Sequence, residues 1–312
     1  MTLATGWKRA AGLAWIALAL GLVAHEARQL DWVEVGRAVR GYGWDALAVA
    51  LAIALPGYLA CASYDFIGRH CTRHGLPAAR TAAISFVGYC FSLNLGALIG
   101  GLGFRYRLYA PSGLSPWTIG QVIALSILTN WSGYVLLAGL LLAFDPPDLP
   151  PAWDAPDALL RGAGLTLLTA AAAYLWLCLR KGGEQVRLRD SELVVPGLGI
   201  AGVQLALSLV SWSAVGGVIT WLLPEDVSWF AVMPVLLTSA IAGVVSHVPA
   251  GLGVMEVVFS ALLGHEVAAP RLVGALLAFR ATYYLVPFLL AVGVYAYLEA
   301  TSGGPAVEPQ GA

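Results

Sequence analysis

Gly100-Gly101-Leu102-Gly103-Phe104-Arg105 and, from Gly101 to Gly251 150 residues further on, Ala250-Gly251-Leu252-Gly253-Val254-Met255-Glu256 decide how this chain is read. Each is a glycine turn set in apolar sequence that otherwise reads as helix, and each leads into a charge. Broken helices at corresponding places in two halves are the sequence mark of a transporter-like repeat, with its site near the middle of the membrane.

The solvent follows from composition. Hydrophobic residues make up 59% of the 312 residues and charged residues 11%, against about 25% charged in a soluble domain. That is too little charge to cover a water-facing surface. The net charge of −1 gives no signal for nucleic acid. Cys61, Cys71, Cys90 and Cys178 show no paired spacing and read as unpaired structural thiols on a reducing side. No cofactor or metal is expected.

Working outward, apolar runs lie at about 7–24, 44–66, 81–103, 117–144, 159–179, 193–223, 228–263 and 271–298. A spanning helix needs about 20 such residues. The run at 228–263 is too long for one span, breaks at Pro249, and reads as two half-helices. The run at 7–24 reads as a retained span rather than a cleaved leader. Residues 30–42 fit either a short amphipathic surface helix or a solvated loop. The Gly/Pro-rich tail 301–312 is expected to be disordered.

Loop charge sets the topology. If every run crosses, Arg105, Arg107, Arg180, Lys181, Arg187 and Arg189 fall outside, against the positive-inside bias. If the 81–103 run enters and returns on one side, eleven of the seventeen basic residues become cytoplasmic: 8, 9, 69, 73, 80, 105, 107, 180, 181, 187 and 189. A second hairpin at about 228–264 then enters from outside. The expected fold is an all-α polytopic membrane protein. It has about six full spans and two re-entrant helical hairpins in an inverted repeat, in one domain over 1–300 with halves 44–144 and 193–298. Both termini are expected in the cytoplasm.

Glycine suits the turns at Gly100, Gly101, Gly103, Gly251 and Gly253 because it permits backbone closed to other residues and close helix approach. Pro249 removes a donor and stops the preceding half-helix. Irregular backbone at membrane depth needs protein or a wet cavity around it.

The candidate site residues are charges and polar groups in apolar sequence. Arg280, inside the last run, costs about 2.5–3.5 kcal/mol at a helix centre and needs a partner. Glu256 is the first choice, His247 the next. A ligand role and a structural ion pair both remain open. Arg105 and Arg107 either snorkel to headgroups or fork onto a lipid phosphate. His247 either titrates near neutral pH or packs with a hydrogen bond. Asn94 and Asn130 are expected to hydrogen-bond between helices.

At these residues the chain resembles the lysylphosphatidylglycerol synthase transmembrane (flippase-domain) family. Gly100 to Tyr109 with Gly113-Leu114-Ser115, Ser246 to Glu256, and Arg280-Ala281-Thr282-Tyr283-Tyr284-Leu285-Val286-Pro287 look like its three signatures. Ala250 departs from the family's usual glycine, and nothing after Leu298 resembles the aminoacyltransferase domain of the full synthases. The resemblance implies a stand-alone bacterial inner-membrane protein that moves a phospholipid or other anionic lipid between leaflets, with Tyr283 and Tyr284 beside Arg280 at the site. It implies a transporter, not an enzyme, with membrane lipids as its partners. The alternative is a non-transporting scaffold that binds a lipid- or envelope-synthesis enzyme.

Overall fold

The structure is a computed structural model that describes residues 32–147, 156–188, 191–246 and 251–301. The run at 7–24, His247, Pro249 and the tail from 302 lie outside the described residues. Six of the described helical segments are long and apolar enough to cross a membrane: 44–72, 116–144, 157–181, 198–222, 229–246 and 269–301. The protein is an all-α polytopic membrane protein.

Helix α1 (Trp32–Gly41) and helix α2 (Trp44–Ala62) open the described chain. Residues 32–41 of the stretch read as either helix or loop are therefore helix. Val33, Arg37 and Arg40 are exposed on it at helical spacing. The run expected at 44–66 lies within one spanning segment, 44–72, that is bent at Ser63, where α2 ends at Ala62 and a short α3 (Tyr64–Thr72) follows. The Ser63 hydroxyl donates to the Leu59 carbonyl at 2.8 Å. A side-chain bond of this kind competes with the helix ladder and bends it.

The first glycine stretch departs from its expected form. Helix α4 runs Ala78–Leu95 and breaks at Gly96, whose φ of 82° favours glycine. Ala97–Gly103, with Gly100, Gly101 and Gly103, is instead a π-helical turn leading into α5 (Phe104–Tyr109). A methyl added at Gly100 would land on the Phe91 carbonyl. The returning chain thus lies directly on α4, which is what makes this segment a hairpin.

Helix α6 (Pro116–Phe144) starts with Pro116 at its first position and Ser115 as cap, whose Oγ accepts from the Thr118 N–H at 3.1 Å. Helix α7 (Asp157–Lys181) lies against it, with Gly164 on the Ala143 backbone. An antiparallel β-hairpin follows, β1 (Gln185–Leu188) with β2 (Ser191–Val194). The run expected as helix from residue 193 therefore begins as strand. Helix α8 (Leu198–Leu222) starts only after Pro196-Gly197, where the proline leaves the ladder short of a donor.

The second hairpin is two half-helices, α9 (Trp229–Ser246) and α10 (Val254–Leu263), packed on each other. Gly251 and Gly253, at its bend, have φ of 58° and 77°. The last run is not one helix. It is α11 (Ala269–Phe279), a π-helical turn (Arg280–Leu285) and α12 (Val286–Thr301).

Helices α2 and α8 pack antiparallel at the centre. Tyr42 donates to the Leu222 carbonyl at 2.7 Å, the Trp221 indole to the Ala46 carbonyl at 2.9 Å, and Cys61 Sγ lies 3.1 Å from Ser211 Oγ. These contacts define two ends of the bundle. One holds residues 42–46 and 221–229, the other residues 62–80 and 107–116. The first hairpin opens at the second of these ends and the other hairpin opens at the first.

The packing between halves is reciprocal. Helix α4 lies on α2 and on α12; α9 lies on α8 and on α6. Phe91 is the hub of the first contact, with ring centroids 4.7 Å from Phe104, 5.2 Å from Phe288 and 5.7 Å from Tyr295. In lipid there is no hydrophobic drive between helices, so such close packing and interhelical hydrogen bonds carry the association.

Candidate functional site: paired charges at the hairpins

Arg280 begins the second π-helical turn, and its side chain is only 5% exposed. It makes a fork to Glu256, with Nε donating to Oε1 at 2.7 Å and Nη2 to Oε2 at 3.1 Å. The same Nη2 donates to the Gly251 carbonyl at 3.0 Å. The guanidinium also lies 5.7 Å from the centre of the Tyr284 ring. One arginine thus holds the bend of the second hairpin by its backbone and by its first helical acid. A planar fork of this kind is specific to arginine. The Glu256 side chain is 22% exposed, so the pair is sealed on the arginine side and open on the carboxylate side.

Tyr283 points the other way, into the core. It stacks on Phe279 at 5.4 Å and lies 4.9 Å from Tyr58. The sequence expectation placed Tyr283 and Tyr284 together. The structure puts Tyr284 with Arg280 and Tyr283 at the α2 contact.

Arg105 does not snorkel. Its Nη1 lies 3.6 Å from Asp65 Oδ1 and donates to Ser126 Oγ at 2.8 Å, while Nη2 donates to the Ser85 carbonyl at 3.4 Å. Asp65 is fully buried and its other oxygen accepts from the Tyr109 hydroxyl at 2.8 Å. A methyl at Gly88 would fall on the Arg105 side chain, so α4 supplies the room that this arginine fills. The reason for the inward placement is the buried acid. A cation left at the surface would strand Asp65 at a cost of several kcal/mol.

Arg107 is also paired. Its Nε donates to Glu299 Oε1 at 3.0 Å and its Nη2 to Oε2 at 3.4 Å, and Tyr295 donates to the same carboxylate at 3.1 Å. This ties the first hairpin to the end of α12. The three arginines therefore sit in three separate pairs, each with its own carboxylate.

The asparagines behave differently from expectation. Asn94 donates to the Cys90 carbonyl of its own helix at 2.8 Å. At Asn130 the interhelical bonds run to the backbone carbonyl, which accepts from Ser208 Oγ at 2.6 Å and from the Trp212 indole at 3.0 Å. His247 and Pro249 lie outside the described residues. The four cysteines are free thiols.

Sequence reasoning missed Asp65 and Glu299. Each stands near the end of an apolar run, where a carboxylate reads as a headgroup-level residue. The signal was available in the arithmetic of charge, since Arg105 and Arg107 follow a membrane turn and need acids within reach.

No family model matches the chain. Among curated proteins, the inner membrane protein YbhN of Escherichia coli (strain K12) is 40% identical over 288 residues, covering 92% of this chain and 90% of that protein. The uncharacterized protein slr0712 of Synechocystis sp. (strain ATCC 27184 / PCC 6803 / Kazusa) is 29% identical over 310 residues, covering 95% of each chain. With six described segments long and apolar enough to cross a membrane and this likeness along nearly its whole length, the chain is a multi-pass membrane protein that belongs to the family of the inner membrane protein YbhN.

Proposed function

We propose that this protein moves an anionic lipid, a phospholipid in the first instance, between the leaflets of the bacterial inner membrane. The observation that carries the reading is the Arg280–Glu256–Gly251 cluster at the second hairpin. An ion pair sealed on one side and open on the other, at a helix break, is poised to exchange its partner for a charged headgroup. Intramembrane ionisable residues are functional candidates by default. The resemblance of the three glycine and arginine stretches to the lysylphosphatidylglycerol synthase flippase domain supports the same reading.

The two hairpins open at opposite ends and their contacts are reciprocal, which fits an inverted repeat with halves at 44–144 and 193–298. Rocking of one half against the other would expose the cluster to each leaflet in turn. The basic end, with Arg69, Arg73, Arg80, Arg180 and Lys181, is then cytoplasmic, and the chain ends on that side. Arg105 and Arg107, with their own acids, keep the first hairpin and α12 in register. The reading is of a carrier with membrane lipids as partners, not of an enzyme or a nucleic-acid binder.

A fluorescent lipid in proteoliposomes tests it. The wild-type protein is expected to scramble the lipid, and Glu256→Gln to slow it at least tenfold. Wild-type rates in that variant, at normal expression, would remove the cluster from the pathway. A scaffold role for a lipid- or envelope-synthesis enzyme is the second reading. It draws on α7, of whose most apolar stretch only 11% is buried within the bundle. Co-purification of such an enzyme, with no lipid movement by the pure protein, would favour it.

A further inference from the structure

A cavity of about 400 Å³ lies away from the three pairs, at the end of the bundle where α1 meets α8 and α11. Arg37 of α1 and Arg271 of α11 both line it, and Tyr42, Leu222, Leu223 and Pro224 are among the residues of its wall. The volume falls within the range of small-ligand sites.

The charge pattern at this end is unusual. Asp45, Asp145, Asp157, Glu225, Asp226 and Glu266 make it the acidic end of the bundle. Yet the two side chains that converge on the cavity are cations from separate elements. Neither meets a carboxylate within 4.0 Å among the described residues. The contrast with Arg105, Arg107 and Arg280 is direct, since each of those is matched by an acid. Two guanidiniums facing one cavity repel each other, and an anion between them reverses the sign of that interaction.

The depth of the cavity is marked independently. Trp44, 86% exposed, starts α2, and Trp221, 48% exposed, ends α8 beside the cavity-lining Leu222. Exposed tryptophans at helix ends sit at the headgroup level of a bilayer. The Tyr42 hydroxyl is held by the Leu222 carbonyl, so that wall is fixed in place.

We propose that Arg37 and Arg271 bind the phosphate of a phospholipid headgroup in this cavity, on the leaflet opposite the basic end of the bundle. The choice of a lipid as ligand rests on the lipid-handling reading above. The chemistry is that of guanidinium on phosphate, where the fork matches the phosphate oxygens. The site would hold a headgroup at the mouth of the outer half without touching the Arg280–Glu256 cluster.

Native mass spectrometry of the full-length protein in detergent with dioleoyl phosphatidylglycerol tests this. The wild-type protein and Arg40→Gln, an exposed arginine of the same helix outside the cavity wall, are expected to retain the lipid. Arg37→Gln with Arg271→Gln is expected to lose at least about tenfold in retention, since each charge-assisted bond is worth roughly that factor. Both arginines are exposed, so the double variant keeps its fold, which its thermal midpoint checks. Equal retention by the double variant overturns the site. Displacement of the lipid by millimolar inorganic phosphate assigns the cavity to a free phosphate ester and overturns the lipid assignment. The readout is retention and not movement, so failure here leaves transport standing, and a wild-type protein that moves no lipid can still show this site.

Discussion

Tyr58 donates its hydroxyl to the carbonyl of Tyr283, 225 residues away in sequence and on the opposite half of the molecule. That carbonyl is available because Pro287, four residues on, has no N–H to return to it. A proline in one half thus creates an acceptor that a tyrosine of the other half occupies. Tyr58→Phe strands the buried carbonyl and is expected to cost about 1–3 kcal/mol, read as a lower thermal midpoint in detergent. An unchanged midpoint would show that the π-helical turn satisfies the carbonyl by itself.

The Arg280–Glu256 pair should behave as one unit. Removing either partner leaves a buried charge uncompensated, at about 3–5 kcal/mol. Arg280→Met with Glu256→Met is expected to be less destabilised than the sum of the single variants by at least ~1 kcal/mol. Unfolding of the four proteins of the cycle measures the coupling. Additive losses would mean that the two side chains act independently.

Asp65→Asn tests the other buried pair. Asparagine keeps the shape but leaves Arg105 without its counter-charge, and a loss of about 3 kcal/mol or more is expected. Asp45→Asn, in the first turn of α2 at the far end, serves as the exposed reference and should stay within about 0.5 kcal/mol of wild type.

Gly88→Ala places a methyl where the Arg105 side chain runs. Overpacking of this kind costs about 1–3 kcal/mol. Because the arginine must move, Ser126 and Asp65 lose their donor with it. Expression level and thermal midpoint should therefore fall together, and a wild-type midpoint would show that the chain relaxes at no cost.

His74 sits in the loop between α3 and α4, 8% exposed, with its ring 6.2 Å from that of Tyr109. Burial and the neighbouring Arg69 hold its pKa below the ordinary imidazole value, while Asp65 pulls the other way. The unfolded chain therefore takes up this proton first. The stability held by neutral His74 is complete above about pH 6.5 and is lost as the pH falls from there towards the depressed folded value. His74→Gln should flatten that part of the stability–pH curve. A slope unchanged in His74→Gln would assign it to another group.

The long helices were legible because span length and apolar composition are local properties. The run at 116–144 and the half-helices of 229–263 follow directly from them. The breaks were legible only in kind. Gly100, Gly101 and Gly103 advertised an interruption, but the residue that turns the chain is Gly96, and Gly100 and Gly101 instead let the returning chain lie on Phe91 and Ser92. The partner of Arg280 was legible because Glu256 is its nearest acid in an apolar stretch. Asp65 and Glu299 were not, since their roles depend on which helix ends the fold brings beside the first hairpin. The cavity at Arg37 and Arg271 was hidden for the same reason: α1 and α11 are more than 220 residues apart.

The bond from Arg107 to Glu299 spans 192 positions, and the ring contacts of Phe91 with Phe288 and Tyr295 reach farther still. A ribosome delivering this protein finishes the first hairpin long before the helix that clasps it exists. Until the last segment leaves the exit tunnel, a cation and a half-built turn must wait in the insertion machinery or against lipid. Chains shortened by even the final helix would keep the other five described apolar segments and still lack the clasp, so membrane quality control should clear them rather than let them accumulate.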